Sequence, residues 1–412
     1  MERNVFLLLG GNKLNHGIYR KFKDHGYIVY VVDWNKSPHI KGDRHYQIDV
    51  KDYSAILDVL RADGVIDRLV LAYSSIDLAV RSVAMINREI GLYTISDAGL
   101  NVCCSKSLMT KTWHESGLLN RISKSYSEYS EEIGQFNKNG KIIIKPDNSA
   151  SSRGITILDK GAAKEVLLNA FKKAQEEASN NLVVVEEFLE GTEFTVEMIG
   201  DRYGNVCVYG VSKKYHTLNT ENNRIAVKLH YNAIPEGLQR KIAEYGSACY
   251  RALGFSASLG HLEIILKEDG SLSPVEIGAR SSGYIAYPLV DVVSGADFIG
   301  DLLKIQKGEK SENGLHEQTE KSSMYFFYDF PKGSTMIKAR SLLDYCIPQI
   351  SSLYHDRMRL QKGVTFGFIN SDNERIGLEI LEGRREYLTE ENVSNAEKAM
   401  MSESLMGNHE SF

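Results

Sequence analysis

Three short apolar runs separated by helix-length segments set the first constraint on this chain. Val5 to Leu9 precedes the amphipathic stretch Tyr19 to His25, Tyr27 to Val32 follows and ends on Asp33, and Arg68 to Ala72 comes later. Runs this rich in Val, Ile and Leu, alternating with helical patterns, describe strands covered on both faces and predict a parallel α/β unit. That unit is expected over residues 1–100, with a boundary near Leu100.

Gly10 and Gly11 follow the first strand and Asp33 ends the second, as in a dinucleotide-binding fold. The G-x-G-x-x-G fingerprint is absent, because the next glycine is Gly17. A Rossmann-like unit without a dinucleotide is therefore expected, and an oxidoreductase using Gly10, Gly11 and Asp33 is the reading this disfavours.

With 412 residues the chain exceeds one ordinary core, so several packed units are required. Apolar residues at 42% and charged residues at 25% leave no room for a long disordered or fibrous segment. The net charge of -5, with Lys and Arg scattered along the chain, argues against nucleic acid as a partner. The five cysteines show no C-x-x-C spacing, so neither a disulfide framework nor a zinc site is expected. No apolar run is long enough to span a membrane, and Met1 leads into a strand without a signal-like segment, so a cytoplasmic protein is expected.

After a helix carrying Lys106, Met109 and Trp113, the signals turn antiparallel: Lys141 to Lys145, Leu182 to Glu187, Phe194 to Ile199, Val206 to Val211, and a hairpin from His261 to Ile277. Residues 101–310 are expected to form an α+β body. The polar stretch Gly308 to Ser323 reads as a linker or long loop, and residues 324–412 as a small C-terminal α/β unit.

The hairpin carries the strongest chemical signal. Centring a turn on Asp269-Gly270 pairs residues whose numbers sum to 539, which sets Glu263 opposite Glu276. Two facing carboxylates repel and call for a cation, and hard oxygen ligands on two strands suit Mg²⁺ better than zinc. Such an ion would be held between the carboxylates and a nucleotide's phosphates, and Arg280 would add a cation near those phosphates. A solvent-exposed hairpin with a slipped register is the alternative.

Two further segments point the same way. Lys145 ends a β-run and opens into a loop of small residues with Arg153, which offers an ammonium and free amides to phosphate, although no Walker loop is present. An exposed turn is the alternative there. In Val183 to Phe194 an apolar strand ends in acids and kinks at Gly191, a pattern that could face an adenine edge and a ribose or simply a solvated sheet edge.

The order of these parts resembles the ATP-grasp superfamily from about Val5 to Leu303, and in particular its L-amino-acid ligase and carboxylate–amine ligase branch. That resemblance implies an ATP-grasp fold with a Rossmann-like N-terminal domain and a small C-terminal domain. Lys106 and Lys145 match the phosphate-binding lysines, and the loop from Ser149 to Gly154, with Ser151, Ser152 and Arg153, matches the flexible phosphate cover. Glu186 and the backbone of Phe188 and Leu189 match the adenine-reading hinge, and Glu193 the ribose-binding acid. Glu263 and Glu276 match the metal pair, and Arg280 the arginine that steadies the transferred phosphoryl group. Gly278 stands where many members carry the Asn that serves a second metal.

The resemblance implies ATP with Mg²⁺, or alternatively Mn²⁺, and an ADP-forming ligase that joins a small-molecule carboxylate to an amine through an acylphosphate. Lys145 and Arg280 would be catalytic, and Ser281, Ser282 and Tyr284 would hold substrate. A homodimer is compatible with the family. The alternatives are a bicarbonate-activating or carbamoyl-type enzyme and an ATP-binding protein without catalysis.

Overall fold

A computed structural model of the protein describes residues 3–149, 152–217, 219–220, 223–282 and 286–406. The N-terminal strands form a parallel sheet in the order Arg44–Tyr46, Ile28–Val32, Val5–Leu9, Leu69–Tyr73. Every residue of Val5–Leu9 is buried, as a central strand covered by helices on both faces requires. The Asp33 carboxylate accepts the Gly11 amide at 2.7 Å. A Cβ at Gly11 would lie 2.5 Å from the Ile40 carbonyl and 2.7 Å from Pro38 Cβ, so the backbone at Gly11 packs directly against the Pro38 to Ile40 segment.

The main body is a largely antiparallel sheet in the order Leu272–Gly278, Ser258–Leu266, Thr192–Gly200, Val206–His216, Ala226–Tyr231, Lys321–Tyr328, Ile376–Arg384, Ile350–Asp356. Alternation along its strands separates two faces. Phe194, Val196, Met198, Leu262 and Ile264 pack into one core with helix Glu236–Ala252, whereas Glu193, Thr195, Glu197, His261 and Glu263 occupy the opposite face. A smaller antiparallel sheet, Ser123–Tyr126, Val183–Glu187, Ile142–Pro146 and Thr156–Leu158, packs on helix Lys164–Glu177.

Both expected unit boundaries fall inside elements. Leu100 is buried within helix Asp97–Cys103 and belongs to the core of the large sheet. Met324 lies within strand Lys321–Tyr328, which pairs with Ala226–Tyr231 on one side and Ile376–Arg384 on the other. The C-terminal strands thus prolong the large sheet, because Met324 and Phe326 enter one core while Tyr325 and Phe327 enter the other. The polar stretch 308–323 is also tied down: Gly314–Leu315 pairs in parallel with Cys207 and Val208.

The hairpin reaches its expected pairing by an unexpected path. Lys267 N–H donates to the Ser271 carbonyl at 2.9 Å and Gly270 N–H to the Lys267 carbonyl at 3.0 Å, so the turn is a three-residue loop with Gly270 at φ +79. That loop sets Ile264 opposite Pro274, and the register then shifts so that Glu263 faces Glu276. The bulge at Val275 restores what the turn displaced, and it sits in an edge strand where Pro274 is tolerated.

Gly191 joins the two sheets at φ +151, and a Cβ there would lie 2.3 Å from the Leu266 carbonyl oxygen. Gly191→Ala is therefore expected to lower stability by about 1–3 kcal/mol. Urea unfolding checks this, and an unchanged midpoint would show that the strand junction relaxes.

Candidate active site

A cavity of about 470 Å³ opens between the small sheet, the polar face of the large sheet, and the N-terminal loop that carries Asp77. Lys106, Lys145, Ser152, Arg153, Glu186, Phe188, Leu189, Glu193, Glu263, Glu276, Arg280 and Ser282 all line it. Segments far apart in the chain, noted separately in the sequence, therefore converge on one chamber. Ser151 and Tyr284 lie outside the described residues.

Lys106 opens helix Lys106–Glu115, whose first turn is capped by Ser105 and by Asp147, the residue after the Lys145-Pro146 strand end. The cap fixes the helix start beside the cavity. Lys106 Nζ reaches Glu276 Oε2 at 3.1 Å and donates to the Ser149 carbonyl at 2.9 Å. Lys145 Nζ lies 2.6 Å from Glu186, which also accepts from Arg121 at 3.1 Å and Ser123 at 3.0 Å. Glu186, assigned by resemblance to the adenine hinge, is thus the anion of a buried triad. Burial works to raise its carboxyl, and Arg121 and Lys145 outweigh that and hold it at about 2. Burial, with Arg121 alongside, lowers the Lys145 ammonium despite Glu186.

The facing acids are held unequally. Burial raises the Glu276 carboxyl, but Lys106 and Lys145 overcome this and bring it to about 2. Glu263 is raised by burial and by the Glu193 and Glu276 charges, with Lys214 in opposition. Lys214 Nζ bridges Glu193 at 2.5 Å and Glu263 at 2.6 Å. Lysines therefore supply the cations that the facing pair demands.

Glu193 is buried against Lys214, with His216 at 3.2 Å and Arg224 at 3.7 Å. Burial raises its carboxyl and those cations drive it well below the ordinary range. Phe188 N–H donates to the Lys141 carbonyl at 3.0 Å, so that amide is already used within the chain. Arg153 lies 3.7 Å from Glu177, while the Ser152 carbonyl accepts from Asn223 at 3.2 Å. Gly154 adopts φ +72 at the end of this loop.

Arg280 is clamped by Asp77 through two bonds, Nε to Oδ1 at 2.5 Å and Nη2 to Oδ2 at 2.6 Å. Gly278 makes room for this clamp: a Cβ there would lie 3.2 Å from Arg280 Cγ and 3.3 Å from Asp77 Oδ1. Ser281 is buried and its hydroxyl bonds to that of Tyr73, whereas Ser282 faces the cavity.

The family model for the ATP-grasp domain matches residues 139–288, the stretch that holds Lys145, Glu186, Glu193, Glu263, Glu276 and Arg280. This is an ATP-grasp domain. The whole chain is similar in fold to the crystal structure of an L-amino acid ligase from Bacillus licheniformis, with a TM-score of 0.76 at 16% identity over 99% of this chain and 100% of that one. It is also similar to phosphoribosylglycinamide synthetase from Anaerococcus prevotii, with a TM-score of 0.65 at 15% identity over 98% and 100% of the two chains. A phosphoribosylamine–glycine ligase from Leptospira interrogans is 36% identical over 99 residues, which are 24% of this chain and 22% of that protein. The match thus spans about a fifth of that relative's length.

Around this chamber the sequence settled no role for Asp77, Arg121, Lys214, His216, Arg224 or His261. Alternation could have found two of them, since Lys214 and His216 share the strand face that also carries Ser212. Arg121 and Asp77 carry no such signal, because Asp77 opens the short 3-10 helix Asp77–Ala79, Arg121 lies in a bend before strand Ser123–Tyr126, and the partners of both are distant in the chain. No helix among the described residues is long and apolar enough to cross a membrane.

Proposed function

We propose that this ATP-grasp protein is an ADP-forming ligase that joins a small-molecule carboxylate to an amine through an acylphosphate. One observation carries the reading: Glu263 and Glu276 face each other in a chamber whose other walls carry Lys106, Lys145, Lys214 and Arg280. Such a chamber suits a polyanion bound together with a divalent cation, and positive groups arrayed around a transferring phosphoryl group are what that chemistry needs from a protein.

In this reading Lys106, Lys145 and the loop ending in Gly154 bind the ATP phosphates, the Phe188–Leu189 backbone faces the adenine, and Glu193 faces the ribose. Arg280 meets the phosphoryl group and Ser282 the substrate. The acidic pair fits Mg²⁺ as a partial site. Its donors are hard carboxylate oxygens, and no group of three or more Asp, Glu, His or Cys side chains suited to a metal occurs among the described residues. Mg²⁺ is commonly held in this way, by one or two carboxylates with the remaining ligands from phosphates and water. Bound there, it would neutralise phosphate charge. The chain's own contribution is to hold carboxylate and phosphate in line and to exclude water.

The test is ADP and phosphate release by the purified chain with Mg-ATP, screened against pooled amino acids and small carboxylates, with mass spectrometry of products. Release that depends on one pool, with a product lighter than its two parents by one water, is expected. ATP binding without release in any pool would instead favour the non-catalytic alternative, and release driven by bicarbonate alone the carboxylase one.

A further inference from the structure

The chamber is lopsided in charge, and its exceptional corner is the pair Glu197 and His261. The strand register sets His261 directly opposite Glu197 and Glu263 opposite Thr195, so the pair stands one same-face step, about 7 Å, along the sheet from the acidic pair. Glu197 is completely buried. Its Oε1 accepts from His261 Nδ1 at 2.6 Å and from the Tyr231 hydroxyl at 3.0 Å, while Oε2 has no partner among the described residues. Glu193, Glu263, Glu276 and Glu186 each lie against a Lys or Arg, whereas the ionic partner of Glu197 is a histidine ring.

A carboxylate on Nδ1 selects the tautomer that carries its hydrogen there. In the neutral ring Nε2 is then an acceptor, and His261 lines the cavity. The corner thus offers acceptors and negative charge, in contrast to the lysine-lined remainder, which suits phosphate and carboxylate.

We propose that Glu197 and His261 form the subsite for the amine substrate, with Nε2 accepting a hydrogen bond from the nitrogen that becomes the amide and Glu197 orienting the ring and supplying negative potential. This rests on the ligase reading and adds which wall of the chamber receives the nucleophile. The placement is chemically apt. A carboxylate activated beside Glu263 and Glu276 would have its acyl carbon within reach of a nitrogen held one strand step away. The nitrogen lone pair then forms the C–N bond, the acyl C–O bond breaks, and phosphate departs with that electron pair and takes up the proton the nitrogen sheds.

Hydroxylamine provides the discriminating probe, because it captures an acylphosphate as a hydroxamate and, supplied in large excess, does not depend on a built amine subsite. The chain, His261→Asn, His261→Leu and Glu197→Gln are compared for hydroxamate formation and for amide formation with the carboxylate and amine pools, all with Mg-ATP. The expected result is a rise of at least about tenfold in KM for the amine, and a matching fall in the amide-to-hydroxamate ratio, in both His261 variants. Glu197→Gln should show the same split in weaker form, since Gln can still contact the ring. An unchanged ratio in the His261 variants, with hydroxamate and amide falling together or not at all, overturns the subsite while leaving the ligase reading intact. Absence of both hydroxamate and ADP release from the unaltered chain overturns the ligase reading, and the subsite with it. Comparison of His261→Asn with His261→Leu guards against a folding defect, because only a shared packing role would make both lose hydroxamate formation.

Discussion

Glu276→Gln is expected to lower ADP release by at least about 10³-fold while leaving the unfolding transition close to that of the parent chain. The two effects separate because of where the side chain sits. It faces the chamber with 36% of its side chain exposed, so a glutamine of nearly equal volume leaves the packing intact. The amide oxygen can still accept from Lys106, which lies 3.1 Å from the carboxylate. What is lost is a full negative charge, one of the two carboxylates in the facing pair, and with it much of the attraction that pair has for a divalent cation. The low carboxyl value of about 2 means that Glu276 is ionised throughout the working range, so the loss should not be restored at higher pH. The check is a pH series of ADP release beside thermal unfolding. Activity within tenfold of the parent would remove Glu276 from the metal pair, and a collapsed transition would reassign it to stability.

Much of this site was legible because its residues lie on strands, where period-two alternation and turn position fix which side chains meet. Glu263 and Glu276 are the clearest case, although the expected two-residue turn is really a three-residue loop and the pairing is recovered only by the bulge at Val275. A turn dipeptide shows where the chain reverses, but it does not show where a proline-bearing edge strand gains a residue. The limits of the units were harder to read. The unbroken apolar run Met324 to Tyr328 shows a strand with two covered faces, but it does not say which neighbour the strand joins, and the pairing with Ala226–Tyr231 is a long-range choice. The charge partners were the least legible. Asp77 clamps Arg280 across 203 positions and Arg121 meets Glu186 across 65, separations at which no local pattern survives.

Glu186→Ala is expected to produce the largest loss of stability, about 3–5 kcal/mol, because it leaves two buried cations without their anion. Lys145 and Glu186 are 3% and 2% exposed and Arg121 is 3% exposed, so water cannot take over the role of the carboxylate. The carboxyl value points to a similar size. A folded value of about 2 against an ordinary 4.5 corresponds to about 3 kcal/mol of preference for the charged form at neutral pH. The sign follows directly: the folded carboxyl is depressed, so in the window between those values the unfolded chain binds more protons. The contribution is therefore complete above about 4.5 and is lost as pH falls towards about 2. Urea unfolding across this window should show a steep acid decline in the parent chain and a shallower one in Glu186→Ala. The two cations should respond differently to losing their partner. Burial already lowers the Lys145 ammonium, so it can shed its proton, whereas the Arg121 guanidinium cannot. Replacing Arg121 with Met in the Glu186→Ala background should then recover part of the loss, since a buried charge without a partner costs more than an apolar side chain of similar length. A double variant no more stable than Glu186→Ala would show that Arg121 is held mainly by its bonds to the Pro274 carbonyl at 2.5 Å and to Ser273 at 3.3 Å, and that the triad is a clasp on the bulged strand more than a balanced set of charges.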